Sequence, residues 1–562
     1  MSAPVRPWYD AERVTVPSGS VTPDLTIKRS IVLDRWNAQR AAARGAAVQR
    51  DRLLQQQRAY AGADVSRLHS DWSAMQTSAD SEILVSLRLL RARSRELVRD
   101  NPYAKHVVRL LVNNVIGGGM GMQAAVTNSR GKLEARINDS IEEAWTEWCD
   151  RKTCHTAGLL AFPDIERLLM VQLVTAGEAI VRKVRQPFGG GNIPLALEVI
   201  EADRLIDQWQ TAKAPNGNII RMGVEQDEWG RPVAYWFHPK HPGDYQFTSF
   251  QPGKFLRVPA EDIIHLYLIE RWPQSRGEPW MHAALTTLHM SGGTEDALVV
   301  KARAAANVVG FIRQQEPDAG SARNEAGQDL IDTEPGTWRR LLPGEDVAGF
   351  APVVADPSVD PFLRYLVRKV SVGVGISYEA VSRDYSSATY SSARMALLDD
   401  RDHYRALQGF IGRNLRLDIH REWCDAAALV GAIRVGTDYF TNPRRYQAMR
   451  LRPRGWSWID PTKEVAAYRA AVRAGFMSTD DVIAQTGGGA DREDVWKQRA
   501  AELEEAEELG LVFDTDPAEV NDKGVAQPGE VLEGGQAEGA DKGAAGELPE
   551  AEEGDSEQEI KE

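Results

Sequence analysis

Cys149-x4-Cys154-His155 offers two thiols and an imidazole within seven residues. That is the raw material for a metal site, but zinc-type pairs are spaced C-x2-C, and no second pair follows. The expected reading is a helix-end cysteine and a turn. Gly117-Gly118-Gly119-x-Gly121 has the composition of a phosphate cradle. A nucleotide-binding loop follows a strand and opens a helix, whereas these glycines follow a helical pattern, so they read as a C-cap and turn. The chain lacks G-x4-G-K-[ST] and H-E-x-x-H, and its ten histidines are scattered. Among 81 acids, a pair such as Asp399-Asp400 carries little information. No constellation supports an enzyme, and none calls for a cofactor or a metal.

Two other groups of residues draw interest. The first is "SRDYSSATYSS", which places Ser382, Arg383, Asp384, Tyr385, Ser386, Ser387, Tyr390, Ser391 and Ser392 in a small, hydroxyl-rich stretch before a helical pattern that starts at Ala393. The second is basic. Arg364 and Arg368 lie four apart and share a helix face, with Lys369 beside it, while Phe362, Leu366 and Val370 share another. Alone, either group fits a plain connector or an ordinary amphipathic helix. Repeated around a ring, the basic face becomes a band suited to a passing polyanion, because phosphate contacts are independent of base sequence.

The elements that must position these groups follow from periodicity. Ser81 is an N-cap candidate for a helix whose Leu84, Leu87 and Leu97 share a face. Asn101-Pro102 starts a second helix, ended by Gly117–Gly119. "KLEARINDSIEEAWTEWCD" is a third, with Ile137, Ile141, Trp145 and Trp148 inward, and "FPDIERLLMVQLVTAGEA" is a fourth. The period then changes to alternation. "EAIVRKVR", "LALEVIEA", "IIRMGVEQ", "PVAYWFHP" and "DIIHLYLI" read as strands, with turns at Asn216-Gly217 and Trp229-Gly230. After Gly277-Glu278-Pro279 a long helical stretch runs to about Asn307. Gly292-Gly293 predicts a bend in it, at about 1 kcal/mol per glycine. Short strands punctuate 310–357. Asp360-Pro361 opens a further helix that ends at Gly373–Gly375. Beyond the Ser/Tyr stretch, Leu397, Tyr404, Leu407, Ile411, Leu415, Ile419 and Trp423 recur at steps of three, four or their multiples. Three more helices follow, up to about residue 512.

Charge is unevenly spread. The net value is -14, but of the 81 acids 21 lie in 501–562, which holds only three lysines. Met1–Ala500 therefore has 60 acids against 64 bases, a net +4. The body is slightly basic, and 513–562 reads as an acidic disordered tail. No run of about 18 apolar residues predicts a transmembrane helix, and the N-terminus lacks a signal-peptide core. Three cysteines make no disulfide scaffold, so a reducing cytosol is the default compartment.

The order of elements is the informative feature: a helical and β layer, a long helix, a small β insertion, a returning helix, a polar loop and a long helix. With "LRARSRELVRDNPYAKHVVRLLVNNVIGGGM", "GVEQDEWGRPVAYWF", "VPAEDIIHLYLIERWPQSRGEPWMHAAL", "SSATYSSARMALLDDRD" and "WIDPTKEVAAYRAAVRAGFMSTDDVIAQTG", it resembles the phage portal proteins, specifically the lambda-type portal family. The likeness covers about residues 25–512 and rests on the ordered set. It implies an α+β portal fold: an N-terminal arm (1–24), a wing (25–277), a stem of two helices (278–309 and 358–376), a clip between them (310–357), a tunnel loop (377–392), and a long helix with the crown (393–512). It implies a homo-oligomeric ring, twelve-fold in the family, at one capsid vertex of the virion, assembled in the host cytoplasm. Its partners would be double-stranded DNA, the terminase large subunit, head-completion and tail-connector proteins, and the major capsid and scaffold proteins. It would need no membrane or cofactor. Arg364, Arg368 and Lys369 would face the channel, and the Ser/Tyr stretch would line its narrowest point. A packaging nuclease or ATPase, or another virion structural protein, is the alternative.

Overall fold

The computed structural model describes residues 40–42, 44–45, 76–211, 216–244, 254–307, 311–314, 345–348, 358–456, 460–486 and 492–511. The chain divides into two units, Met1–Ser78 and Ala79–Glu562. In the first, 40–42 and 44–45 are helical and exposed. Everything below belongs to the second, a mixed helix-and-strand fold. The expected arm (1–24), most of the clip and the acidic tail (513–562) lie outside the described residues.

Helix α1 spans Ala79–Asp100. It begins two residues before the expected cap, so Ser81 sits inside its first turn. Its inward stripe is Ile83, Leu87, Arg91 and Ser94, so a charged residue occupies the middle of the buried face. Helix α2, Pro102–Val115, starts where the sequence places it. The Asn101 side chain accepts from the Tyr103 and Ala104 amides, and Pro102 occupies the first turn, where no donor is needed. Helix α3 (Ala135–Trp148) buries Ile141, Trp145 and Trp148, and helix α4 (Phe162–Ala176) stops at Gly177, whose φ is +83°. A side chain at Gly177 would overlap the backbone of Glu278, and one at Gly277 the carbonyl of Gly177. The two glycines therefore let two chain segments cross in direct contact.

Strand β1 (Gly121–Ala124) lies outside the main sheets. Strands β2 (Glu178–Val184) and β3 (Ala196–Ile200) pair with β8 (Ile263–Tyr267) in the order β3-β2-β8, all antiparallel. Strands β4 (Ile219–Arg221), β5 (Val224–Gln226), β6 (Pro232–Phe237) and β7 (Leu256–Pro259) form a four-stranded meander. "IIRMGVEQ" is thus a hairpin and not one strand. Met222 (φ +46°) and Gly223 (φ +80°) turn the chain, and Arg221 pairs with Val224. The period-2 alternation of β2 serves two cores. Ala179 and Val181 join the helices, whereas Ile180 joins Ile200, Val224, Phe237 and Val258 between the two sheets.

Helix α5 runs Leu285–Asn307 as one helix through Gly292-Gly293, and begins seven residues after the expected 278. Strands β9 (Phe311–Gln314) and β10 (Glu345–Ala348) pair antiparallel, as the β insertion requires. Helix α6, Val359–Val374, packs along α5 and ends at Gly375, with φ +73°. Its cap position is Ser358, so Asp360 and Pro361 stand within its first turn and not at its edge.

A short helix α7 (Tyr378–Ser382) precedes α8 (Tyr390–Ile411), a π turn (Gly412–Arg416) and α9 (Leu417–Leu429). Leu407, Ile411, Leu415, Ile419 and Trp423 are all buried although they repeat every four residues. In an α-helix each such step overshoots by about 40°. The π turn, which takes an extra residue per turn, brings the stripe back onto the core. Leu397, earlier in the same pattern, is exposed. Trp423 meets Trp145 edge-on at 5.1 Å, and Trp145 meets Phe162 at 5.4 Å, so α3, α4 and α9 close one aromatic core. Strand β11 (Met449–Arg452) then pairs with β1 and returns the chain to the first helices. Helices α10 (Pro461–Arg473), α11 (Thr479–Thr486) and α12 (Arg492–Glu508) follow as expected.

Candidate functional site

Helices α6, α7 and α8 hold the hydroxyl-rich stretch. Its anchor is Asp400, buried on α8, which accepts from the Ser377 amide at 2.8 Å and the Ser377 hydroxyl at 2.6 Å. His106 Nε2 on α2 lies 3.0 Å from the Ala380 carbonyl oxygen and ties α7 from the other side. Neither partner belongs to the stretch, so the sequence reading passed over both.

The stretch is less of a loop than expected. Ser382 ends α7, and Tyr390, Ser391 and Ser392 are the first turn of α8. The cause is a capping box. The Ser392 amide donates to the Thr389 hydroxyl, and the Thr389 amide donates to the Ser392 hydroxyl at 2.9 Å. Thr389-x-x-Ser392 was the available signal, overlooked because the usual third-position partner is Glu or Gln. Only Arg383–Ala388 is non-helical, flanked by the cap Thr389.

Within it, Arg383 takes a left-handed conformation, φ +57°. Asp384 is the hub. Its Oδ1 accepts from the Ser386 amide (3.1 Å) and hydroxyl (2.6 Å), and its Oδ2 from the Tyr378 hydroxyl at 3.1 Å. The Ser386 hydrogen bonds, with those of Tyr378 and the charge of Arg364, hold its carboxyl below the usual aspartate range. Tyr385, Ser386, Ser387, Tyr390, Ser391 and Ser392 are exposed, with the two tyrosines 61% and 62% accessible.

The basic residues of α6 come to the same place. Arg364 pairs with Asp360 at 3.0 Å and reaches Asp384 at 3.8 Å. Arg368 lies over the Tyr378 ring, 5.1 Å from its centroid. Lys369 is exposed, with no carboxylate partner among the described residues. The structure thus joins the two sequence-predicted groups into one, with Arg364 and Arg368 against the turn.

The sulfur and glycine motifs serve structure. Burial pushes the Cys154 thiol up to about 12 and raises Cys149 as well, which disfavours the thiolate a metal would need. Gly117 (φ +64°) and Gly119 (φ +117°) terminate α2. Among the described residues Glu201, Asp203 and His241 do converge, within 4.8 Å of one another. Arg95 pairs with both carboxylates, at 3.2 Å to Glu201, and supplies the positive charge there.

Comparison with known proteins decides the family. Residues 65–408 match the phage portal proteins of the lambda family. The chain belongs to that family. It is 29% identical over 456 residues to a probable portal protein of Halomonas phage phiHAP-1, covering 79% of this chain and 86% of that one. It is 20% identical over 488 residues to portal protein B of Escherichia phage lambda, covering 78% and 88%. Among solved structures, a chain from the virion of a native gene transfer agent particle aligns over 75% of this chain and 98% of its own, at 16% identity and a TM-score of 0.40. As a portal protein the chain is a structural component of the virion and forms the capsid-vertex channel for DNA packaging. Among the described residues no helix is long and apolar enough to cross a membrane.

Proposed function

We propose that copies of this chain close side by side into a ring, twelve-fold as the family resemblance implies, whose inner lip is the 377–392 segment. In this reading 25–277 is the wing, α5 and α6 with their flanks form the stem, 310–357 the clip, and 393–512 the long helix and crown. Double-stranded DNA enters and leaves through the ring. The clip docks the terminase large subunit during packaging and connector proteins afterwards, while the wing meets capsid and scaffold proteins.

One observation supports this most. The two helices that flank the segment, and α5 packed along α6, carry large apolar side chains in solvent: Met290, Val299 and Val300 on α5, Phe362, Tyr365 and Val372 on α6, and Met395, Leu397 and Leu398 on α8. Such side chains need cover, and neighbouring copies would supply it. What remains uncovered is the Ser/Tyr turn, whose weak, reorientable hydroxyls suit sliding better than gripping.

A photo-crosslinking residue at position 385 of the assembled particle tests the reading. Adducts to duplex DNA trapped in transit are expected, with rings bearing a central hole in negative stain. Monomers at every concentration, or a segment on the outer rim, would overturn it.

A further inference from the structure

The contacts between α6 and the turn carry a second consequence, which rests on the reading that the 377–392 segment borders the DNA path. Arg364 and Arg368 lie four residues apart on one face of α6. Arg368 has no carboxylate partner among the described residues and stacks only on Tyr378. Arg364 pairs with Asp360 of its own helix at 3.0 Å and on its other side faces Asp384 at 3.8 Å, a second carboxylate delivered by the chain itself.

We propose that Arg364 and Arg368 form a phosphate-binding face that the 383–388 turn partly covers in this structure, with Asp384 standing in for a DNA phosphate. When the turn shifts, one anion replaces the other.

Three features make this exchange feasible. The Arg364–Asp384 contact, at 3.8 Å, is the loosest that Asp384 makes, since its Ser386 and Tyr378 partners lie at 2.6–3.1 Å. The pair is only partly shielded, with 38% of the Arg364 side chain and 27% of Asp384 accessible, and ion pairs of that exposure are weak. A phosphate offers a guanidinium two parallel hydrogen bonds, which the distant carboxylate does not. The turn also has a reason to move. Arg383 sits at φ +57°, a conformation that costs a residue with a side chain. Tyr378, which donates to Asp384, also lies under Arg368, so both arginines border the same carboxylate; when Asp384 leaves, Arg364 keeps only Asp360 of its own helix, at 3.0 Å. The device removes one negative charge from the basic face when the turn is displaced, so the wall is more basic with the turn open than with it seated.

The test measures duplex-DNA binding by assembled rings as a function of salt. Asp384→Ala should tighten binding by about three- to tenfold at low salt and steepen the salt dependence, as each added phosphate contact releases counterion. Adding Arg364→Ala to Asp384→Ala should abolish the gain. If Asp384→Ala rings do not assemble, Asp384→Asn preserves the size of the side chain while removing its charge, and the same tightening is expected. Unchanged affinity and salt slope in rings that assemble normally would overturn the proposal, as would a gain that survives Arg364→Ala. The position-385 crosslink separates the two readings. Crosslinking without an Asp384 effect removes this inference alone, whereas no crosslinking removes both.

Discussion

Arg276 donates to both carboxylate oxygens of Glu178, at 2.6 and 2.9 Å, and neither side chain has any exposed surface. Arg276 stands just before the Gly177–Gly277 crossing that leads into α5. Arg91 of α1 comes within 2.8 Å of Glu178 as well, though poorly aligned for a hydrogen bond, and donates instead to the Ala176 carbonyl at 3.0 Å. His265 of β8 approaches the second carboxylate oxygen at 3.1 Å, because residues 178, 180, 263 and 265 share one face of the sheet. One carboxylate therefore joins α1, β2, β8 and the run into α5.

Removing that carboxylate leaves two buried guanidinium groups facing each other. Glu178→Gln is expected to cost about 3–5 kcal/mol, the range for breaking a buried pair on one side. Urea denaturation of the purified chain measures it. A loss below about 1 kcal/mol would mean that water enters the cluster and compensates the arginines.

Little of this cluster was legible in the sequence. Arg91 occupies the inward stripe of α1 between Leu87 and Ser94, and a stripe reading ordinarily discounts an arginine as surface. Burial of a charge depends on a partner 87 residues away in Glu178, which periodicity does not report. Local signals fared better. Asn101-Pro102 and Gly375 each mark a helix end at the residue where it occurs, because the cap or left-handed conformation is a property of that residue alone, whereas the fourth helix, expected to run on through Gly177, stops there. The β4–β5 hairpin stayed hidden because Met222-Gly223 lacks the Asn-Gly signature, and the π turn because four-residue spacing looks like any amphipathic helix. At the candidate site the composition was legible and the wiring was not. Asp384 and Arg364 were both singled out, but only folding brings them together.

Acid should weaken the fold in two stages. Burial drives His265 below its ordinary value, only partly offset by the hydrogen bond and charge of Glu178, with Arg276 and Arg91 opposing protonation. Tyr235 and Tyr267 pack on its ring. Burial, with Arg416 and Arg421 nearby, lowers His420 to about 4. For both, the unfolded chain binds the proton first, so stability is lost as pH falls below 6.5. For His420 alone, the window from 6.5 to about 4 corresponds to roughly 3 kcal/mol. Glu178 acts lower. Burial opposes its charge, but Arg276 and Arg91 overcome that and hold it well below the usual glutamate range. Its contribution is present above about pH 4.5 and disappears as pH falls through its folded value. The urea midpoint should therefore fall between pH 7.5 and 5, and fall less in His420→Gln. Equal midpoints at the two pH values would contradict the assignment.

The start of α8 offers the last test, because it decides how much of the Ser/Tyr stretch is free to move. Thr389 and Ser392 satisfy each other's amides, and that reciprocal pair is why Tyr390, Ser391 and Ser392 are helical. Thr389→Ala removes the hydroxyl that the Ser392 amide uses, at a cost of about 1 kcal/mol to the helix end. Because Thr389 is exposed and far from the Asp400 anchor, the loss should stay local. Hydrogen exchange of the Ser392 and Ala393 amides, which bond to Thr389, is expected to accelerate about fivefold, which is the rate equivalent of 1 kcal/mol. Amides in the 404–411 segment, over the buried stripe, should keep their protection. If the Ser392 and Ala393 amides are already unprotected in the unaltered chain, the box does not form in solution, and the non-helical segment extends to Ser392 as the sequence pattern alone implies.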